Sequence, residues 1–374
     1  AHTGRAGAFF HAHILAHLSY CAHRIPEITT NPAEIDRALC WGFGWKIGPF
    51  KIWEILGFKT ILSDMETKNI SVPDWIEQMA QEGNTTFYID EGINRKIYLP
   101  IEGYTPDAIP SDEIQLTTIH SRKESLIWKN EESTLLDLGE DVALFEFRSK
   151  ANTLGTLIVS GLLEVIDLIE KSNFRGLVIG NTGKHFSVGA NLAEIANLKG
   201  RFNQLEQLIL NFQTMIQRVH YAGKPIVVAT QGQVLGGGCE LALASTQPVA
   251  ATESYIGLVE LGVGLIPGGG GTMRMASLAH DRAPTNLENH IQPYLFQAWD
   301  MISLATVSGN AYQGREMGLL PPQTRIVSNT DRRLYVAKEE VIRLSNEGYT
   351  PPAVQNAIKV LGSPGRAQFE VTAY

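Results

Sequence analysis

Apolar positions along this chain change their period near residue 119. Before that point, Phe10, Ile14, Leu18 and Cys21 recur at helical spacing. Asn31-Pro32 offers a cap followed by proline at the first helical position, which predicts a helix over Ala33–Trp41. Gly42, Gly44, Gly48 and Pro49 interrupt it, Phe50–Leu56 resumes the pattern, and Asp74–Glu82 reads as a further short helix. Strand alternation is scarce over residues 1–100, so an all-α domain is expected there. Pro100, Pro106 and Pro110 lie among polar neighbours and suggest a linker over 101–118.

From about residue 119 strand and helix alternate. Leu135–Leu138, Val142–Phe147, Gly176–Ile179, Pro225–Thr230 and Val249–Ala251 read as strands. Leu157–Lys171 and Asn203–His220 read as helices, and a short helix is expected to begin at Gly237 or Gly238. Repeated β-then-α units predict α/β architecture over 119–350. Ala311–Gly318 and Arg332–Glu347 are helical in pattern; Pro351 and Pro352 stop the second, and 351–374 carries no strong signal.

With 374 residues, 44% hydrophobic and 19% charged, the composition is that of a globular protein and suits two domains. The net charge of −8, with no basic stripe, excludes a nucleic-acid partner. Cys21, Cys40 and Cys239 form no paired spacing, which suggests a reduced, cytoplasmic chain. No apolar run reaches the roughly 18 residues of a membrane span. Residues 6–22 approach a signal h-region, but His11, His13 and His17 interrupt it, and a buried or interfacial helix is the better reading. His13 and His17 share a helix face; without a third ligand they read as structural, and no metal site is expected. A start at Ala1, inside a helical pattern, suggests a processed or truncated chain.

The candidate chemistry lies between residues 186 and 272. Phe186-Ser-Val-Gly-Ala-Asn-Leu192 and Gly236-Gly-Gly-Cys-Glu240 are two glycine turns; Glu260 follows, then Ile266-Pro-Gly-Gly-Gly-Gly-Thr272. Glycine lets the backbone approach a ligand closely and aim N–H groups at it. A double bond conjugated to a thioester adds water only if negative charge can collect on the carbonyl oxygen. One preorganised N–H donor there is worth about 10²–10³ in rate. Two carboxyls can then move the protons, each contributing about 10²–10⁴.

These motifs resemble the crotonase superfamily and, within it, the enoyl-CoA hydratases. The resemblance implies a crotonase-like α/β spiral of repeated ββα units over 119–350. It implies that Ala190 and Gly237 donate the oxyanion-hole N–H groups. Glu240 would orient and activate water, and Glu260 would protonate the α-carbon. Lys150, Ala151, Ser187, Val188, Asn191 and Leu192 match stretches lining the coenzyme A groove, although Asn191 stands where the family commonly has Asp. Hydration needs no cofactor, since coenzyme A is part of the substrate. Ala311–Leu320 and Asp331–Pro352 resemble the extension of bifunctional beta-oxidation proteins.

Near the N-terminus, Ile35-Asp-Arg-Ala-Leu-Cys-Trp-Gly-Phe-Gly-Trp45 and Ile47-Gly-Pro-Phe50 resemble the helical C-terminal domain of 3-hydroxyacyl-CoA dehydrogenases. The chain shows neither the strand–Gly-x-Gly-x-x-Gly–helix fingerprint for NAD nor that family's His–Glu pair. The expectation is therefore a fused dehydrogenase–hydratase lacking its NAD-binding part, its dehydrogenase half inert. Trp41, Phe43, Trp45, Phe50 and Trp53 read as core, and Arg332, Arg333, Lys338, Glu339 and Glu340 as a solvated helix face. Hydration of trans-2-enoyl-CoA is the leading reading. Isomerisation of 3-enoyl-CoA, a non-catalytic acyl-CoA-binding scaffold and an NAD-dependent dehydrogenase are the competitors. An acyl-CoA substrate, a homo-oligomer and, by analogy, a thiolase partner are the expected associations.

Overall fold

The computed structural model describes residues 4–91, 94–107, 110–284 and 291–372. Residues 1–110 and 111–374 form two compact units.

The first unit opens with five helices, α1 (Arg5–His23), α2 (Pro32–Phe43), α3 (Pro49–Leu56), α4 (Phe58–Thr67) and α5 (Asp74–Gln81). Asn31 caps α2 as its position suggests, accepting from Ala33 N at 2.9 Å. The start of α3 is satisfied from farther away. The buried Asp36 carboxylate accepts from Phe50 N at 2.8 Å, Lys51 N at 3.1 Å and the Tyr88 hydroxyl at 2.8 Å.

The unit is not all-α. Strands β1 (Tyr88–Glu91), β2 (Asn94–Leu99) and β3 (Gly103–Pro106) form an antiparallel sheet. The expected 101–118 linker is corrected accordingly: β3 is paired structure, and residues 108 and 109 lie outside the described residues. Strands of four to six residues carry too few alternations to register against helical neighbours.

The aromatic cluster divides. Phe50 and Trp53 are fully buried and pack with Phe58, Trp75 and Phe87, whereas Trp41 and Phe43 are 51% and 75% exposed at the end of α2. Of the histidines, His11 pairs with Asp64 at 2.8 Å and His17 contacts Cys21 at 3.6 Å.

The second unit runs α6 (Leu116–Ser121), β4 (Leu126–Lys129), β5 (Ser133–Asp137), β6 (Val142–Phe147), α7 (Thr156–Lys171), β7 (Gly176–Gly180), α8 (Leu192–Asn197), α9 (Phe202–His220), β8 (Ile226–Leu235), α10 (Gly237–Ala244) and β9 (Val249–Gly257). It continues with α11 (Gly271–Arg282), α12 (Gln292–Ser303), α13 (Ala311–Glu316), β10 (Arg325–Val327), α14 (Arg333–Asn346) and α15 (Gly362–Thr372). Seven strands lie in the order β10-β9-β8-β7-β6-β5-β4, antiparallel from β4 to β6 and parallel from β6 onward.

Both faces of this sheet are covered, which explains why β6 and β7 are largely apolar, with the buried Glu146 of β6 held by His120 at 2.7 Å. Ala143, Phe145, Leu177, Ile179 and Val228 pack into the core with α7, α9 and α10. Their alternates Leu144, Val178, Val227 and Ala229 pack with Leu334, Ala337 and Val341 of α14.

The charged run on α14 is therefore not wholly solvated. Arg333 is 3% exposed and donates to the Asn181 carbonyl at 2.6 Å, and Glu340 is fully buried, taking Arg325 at 3.1 Å. Docking on the sheet turns one side of that helix inward, and its charges are then held by Asn181 and Arg325 from outside the helix and by Arg343 one turn along it.

Candidate active site

β8 changes partners along its length, and this brings the site together. Ala229 and Thr230 pair with β9 at Val249 and Ala250; after a register shift, Gly232–Leu235 pair with Ser254–Gly257. Gly232 makes the bend with φ +55°, and an added Cβ there would collide with the Lys184 carbonyl. The shifted half of β8 also bridges Ser187 through Val234. The strand thus ends with Gly236 beside the turn at Gly189.

The two turns touch. Gly189 has φ +105°, and a Cβ on it would lie 3.4 Å from Gly237 N; a Cβ on Gly237 would lie 3.4 Å from Ala190 N. Leu154 N donates to the Gly189 carbonyl and Asn191 N to the Leu154 carbonyl, while among the described residues the Ala190 N–H has no backbone acceptor. Gly237 opens α10, where a helix leaves its first N–H groups without intrahelical acceptors. Two amides 47 residues apart in sequence thus lie close together at the positive end of α10.

Glu240 lies in the first turn of α10 and is 4% exposed. Gly271 N donates to its Oε1 at 2.8 Å, and Gly269 and Gly270 also present amides to it. A Cβ on Gly269 would stand 2.3 Å from the Phe212 ring and 2.5 Å from Glu240 Oε2, so that position has no room for a side chain. Burial, then the neighbouring Glu260 charge, raise the Glu240 pKa to about 7 against the pull of the three amides. Glu260 begins a single 3₁₀ turn after β9. Both its carboxylate oxygens are shut from solvent without a hydrogen-bond partner, and burial raises its pKa. Its Oε1 is 3.1 Å from where a Gly236 Cβ would lie, over the turn that leads into α10.

The remaining sequence candidates separate. Ser187 is fully buried and its hydroxyl accepts from Gly189 N at 3.1 Å, which holds the first turn. Asn191 caps α8, accepting from Ala193 N and Glu194 N, while its amide donates to Glu194 Oε1 at 2.9 Å. Glu194 in turn caps α7 through Thr156 N at 2.9 Å. Val188 is half-buried and Leu192 is 47% exposed. Lys150 and Ala151 are exposed on a turn fastened to the first glycine loop by Asn152, which donates to the His185 carbonyl at 2.9 Å. Phe212 escaped sequence reasoning: a Cβ on Gly237 would lie 2.9 Å from its ring. Its one available signal was its place in the apolar stripe of α9.

A stability measurement tests the carboxyl environment. Glu240 keeps its proton to higher pH when folded than the 4.5 of an ordinary Glu side chain. Its protonation therefore stabilises the unit fully below pH 4.5, and that contribution is lost as pH rises through about 7. Thermal unfolding at pH 5 and pH 8 should show a wild-type decline that Glu240→Gln reduces. A steeper decline in the variant would contradict the assigned burial.

With the geometry in hand, the chain can be placed among known proteins. Residues 139–285 match the enoyl-CoA hydratase/isomerase family. The chain is 38% identical over 355 residues to a probable 3-hydroxyacyl-CoA dehydrogenase of Bacillus subtilis, the match covering 94% of this chain and 44% of that protein. It is 38% identical over 127 residues to a probable enoyl-CoA hydratase of the same organism, covering 33% of this chain and 48% of that protein. The chain thus spans about half the length, or less, of these curated relatives. A solved enoyl-CoA hydratase from Geobacillus kaustophilus shares the fold with a TM-score of 0.50 at 20% identity, over 59% of this chain and 76% of that one. No described helix is long and apolar enough to cross a membrane. Residues 139–285 thus match the enoyl-CoA hydratase/isomerase family, within a sequence similar over most of its length to a probable 3-hydroxyacyl-CoA dehydrogenase.

Proposed function

We propose that the second unit hydrates trans-2-enoyl-CoA to 3-hydroxyacyl-CoA, as a step of fatty-acid beta-oxidation. The observation that carries this is the closeness of two amides without a backbone acceptor among the described residues, Ala190 and Gly237, together with the carboxyls of Glu240 and Glu260, both shielded from solvent. In this reading the thioester oxygen sits between the amides. Glu240, ionised, takes a proton from water as its oxygen bonds to the β-carbon. The electron pair of the double bond moves toward the thioester oxygen, where the amides stabilise it. Glu260, protonated, delivers its proton to the α-carbon, and a proton returned from Glu240 resets the pair.

Burial raises the pKa of both acids, that of Glu240 to about 7, which brings its gain and loss of a proton close to neutral pH. No cofactor enters these steps. Lys150, Ala151, Ser187, Val188, Asn191 and Leu192 would border the coenzyme A groove, the buried Ser187 and the capping Asn191 through the backbone they fix. The unpartnered oxygens of Glu260 also favour a second reading, in which it alone shuttles a proton between carbons and isomerises 3-enoyl-CoA.

The first unit would serve as the scaffold segment of a dehydrogenase half, inert by itself. A dinucleotide crevice needs parallel strands that each lead into a helix; the described strands of this unit are antiparallel, and its residues do not fit NAD. A cytoplasmic location, a homo-oligomer and a thiolase partner accompany this reading.

Loss of conjugated-thioester absorbance from crotonyl-CoA tests it. Steady turnover is expected. Binding of crotonyl-CoA without turnover would replace the enzyme with an acyl-CoA-binding scaffold.

A further inference from the structure

A second polar region adjoins Glu240. A cavity of about 310 Å³ lies between α9, α11 and the extended segment 352–358, and Glu240, Gly270 and Gly271 form part of its wall. Arg274, in the first turn of α11, faces it. Among the described residues its guanidinium has no ion pair and no side-chain hydrogen bond, and its Nε is shut from solvent without an acceptor. Burial lowers its pKa, with Asp281 the first influence in the opposite direction. Asp281, two turns farther along the helix, is already taken by the Gln355 amide at 2.6 Å.

Apart from Asp281 and Glu240, the wall around Arg274 carries only neutral groups. His220 donates Nδ1–H to the Ala244 carbonyl at 3.0 Å, and burial lowers its pKa, so it is neutral near pH 7. Ser277 donates to Gln355, and Tyr221 completes this side. Arg274 is half-buried, and a guanidinium is best satisfied by a carboxylate gripped through two parallel N–H bonds. A plain alkyl tail in this cavity would offer Arg274 no hydrogen-bond acceptor.

Glu240 stands at the β-carbon in the hydratase reading, on which this inference rests. The acyl chain beyond the β-carbon then has to leave past Glu240, where the cavity begins. At roughly 30 Å³ per water the cavity holds the equivalent of about ten waters. That suits a short chain with a polar end rather than a long hydrocarbon.

We propose that Arg274 is a specificity-determining residue that receives the terminal carboxylate of the acyl group, so that the domain takes trans-2-enedioyl-CoA, the half-thioester of a short unsaturated dicarboxylic acid.

The test compares hydration of trans-2-hexenedioyl-CoA and trans-2-hexenoyl-CoA, equal in length and differing in the terminal carboxylate. Wild type is expected to favour the dicarboxylic thioester in kcat/KM by about tenfold or more. Arg274→Gln should remove that preference through KM, leaving trans-2-hexenoyl-CoA turnover within about threefold, and Arg274→Lys should restore part of it. Equal use of the two thioesters by wild type overturns the inference, as does a preference unchanged in Arg274→Gln. If neither thioester is hydrated, the hydratase reading fails separately. Calorimetric binding of adipyl-CoA against hexanoyl-CoA then decides the role of Arg274, and equal affinities overturn it.

Discussion

Glu240→Gln is expected to lower kcat/KM for trans-2-enoyl-CoA hydration by about 10²–10⁴, the range for removing a general base. The substitution keeps the shape of the side chain, and Gln Oε1 can still accept from Gly271 N, which now bonds the carboxylate at 2.8 Å. What disappears is the capacity to take a proton from water. Isomerisation of 3-enoyl-CoA, which Glu260 can shuttle alone, should be affected far less. The two activities, measured on one preparation whose melting temperature is also recorded, separate these roles. Equal loss of both, or undiminished hydration, would remove Glu240 from its assigned position.

Gly237→Ala is the second large effect. The new methyl would lie 3.4 Å from Ala190 N and 2.9 Å from the nearest atom of the Phe212 ring. It would stand between the two amides, in the volume the thioester oxygen is to occupy. Loss of one oxyanion donor lowers kcat by about 10²–10³, and a loss of that size is expected here. The ring contact offers a rival explanation through packing. Adding Phe212→Leu relieves the ring but leaves the methyl between the amides. The double variant should therefore remain slow. Recovery of kcat in the double variant would mean that packing against α9, and not access to the amides, limits Gly237→Ala.

Much of the second unit was legible because it is locally consistent. The apolar runs of β6 and β7 and the stripe of α7 announce a sheet covered on both faces, and β8, α10 and β9 begin within a residue or so of their expected positions. The first unit was less legible. Asp36 reads in sequence as one charged residue in a helix, yet it anchors α3 and Tyr88. β1 to β3 were hidden in short segments mixing aromatic and charged residues. Glu340 and Arg333 read as surface charge because the pattern of a single helix does not show which neighbour covers it.

By itself the sequence determined the alternation of strands and helices after residue 119, the two glycine turns and the pair of glutamates, since period and glycine content are local properties. Tertiary structure alone decided that Gly232 bends β8 toward Ser187, that Gly269–Gly271 close over Glu240 from some thirty residues downstream, and that the Glu260 carboxylate oxygens are shut from solvent. Desolvation sets whether a carboxyl holds its proton near pH 7, and desolvation depends on which distant segments pack around it.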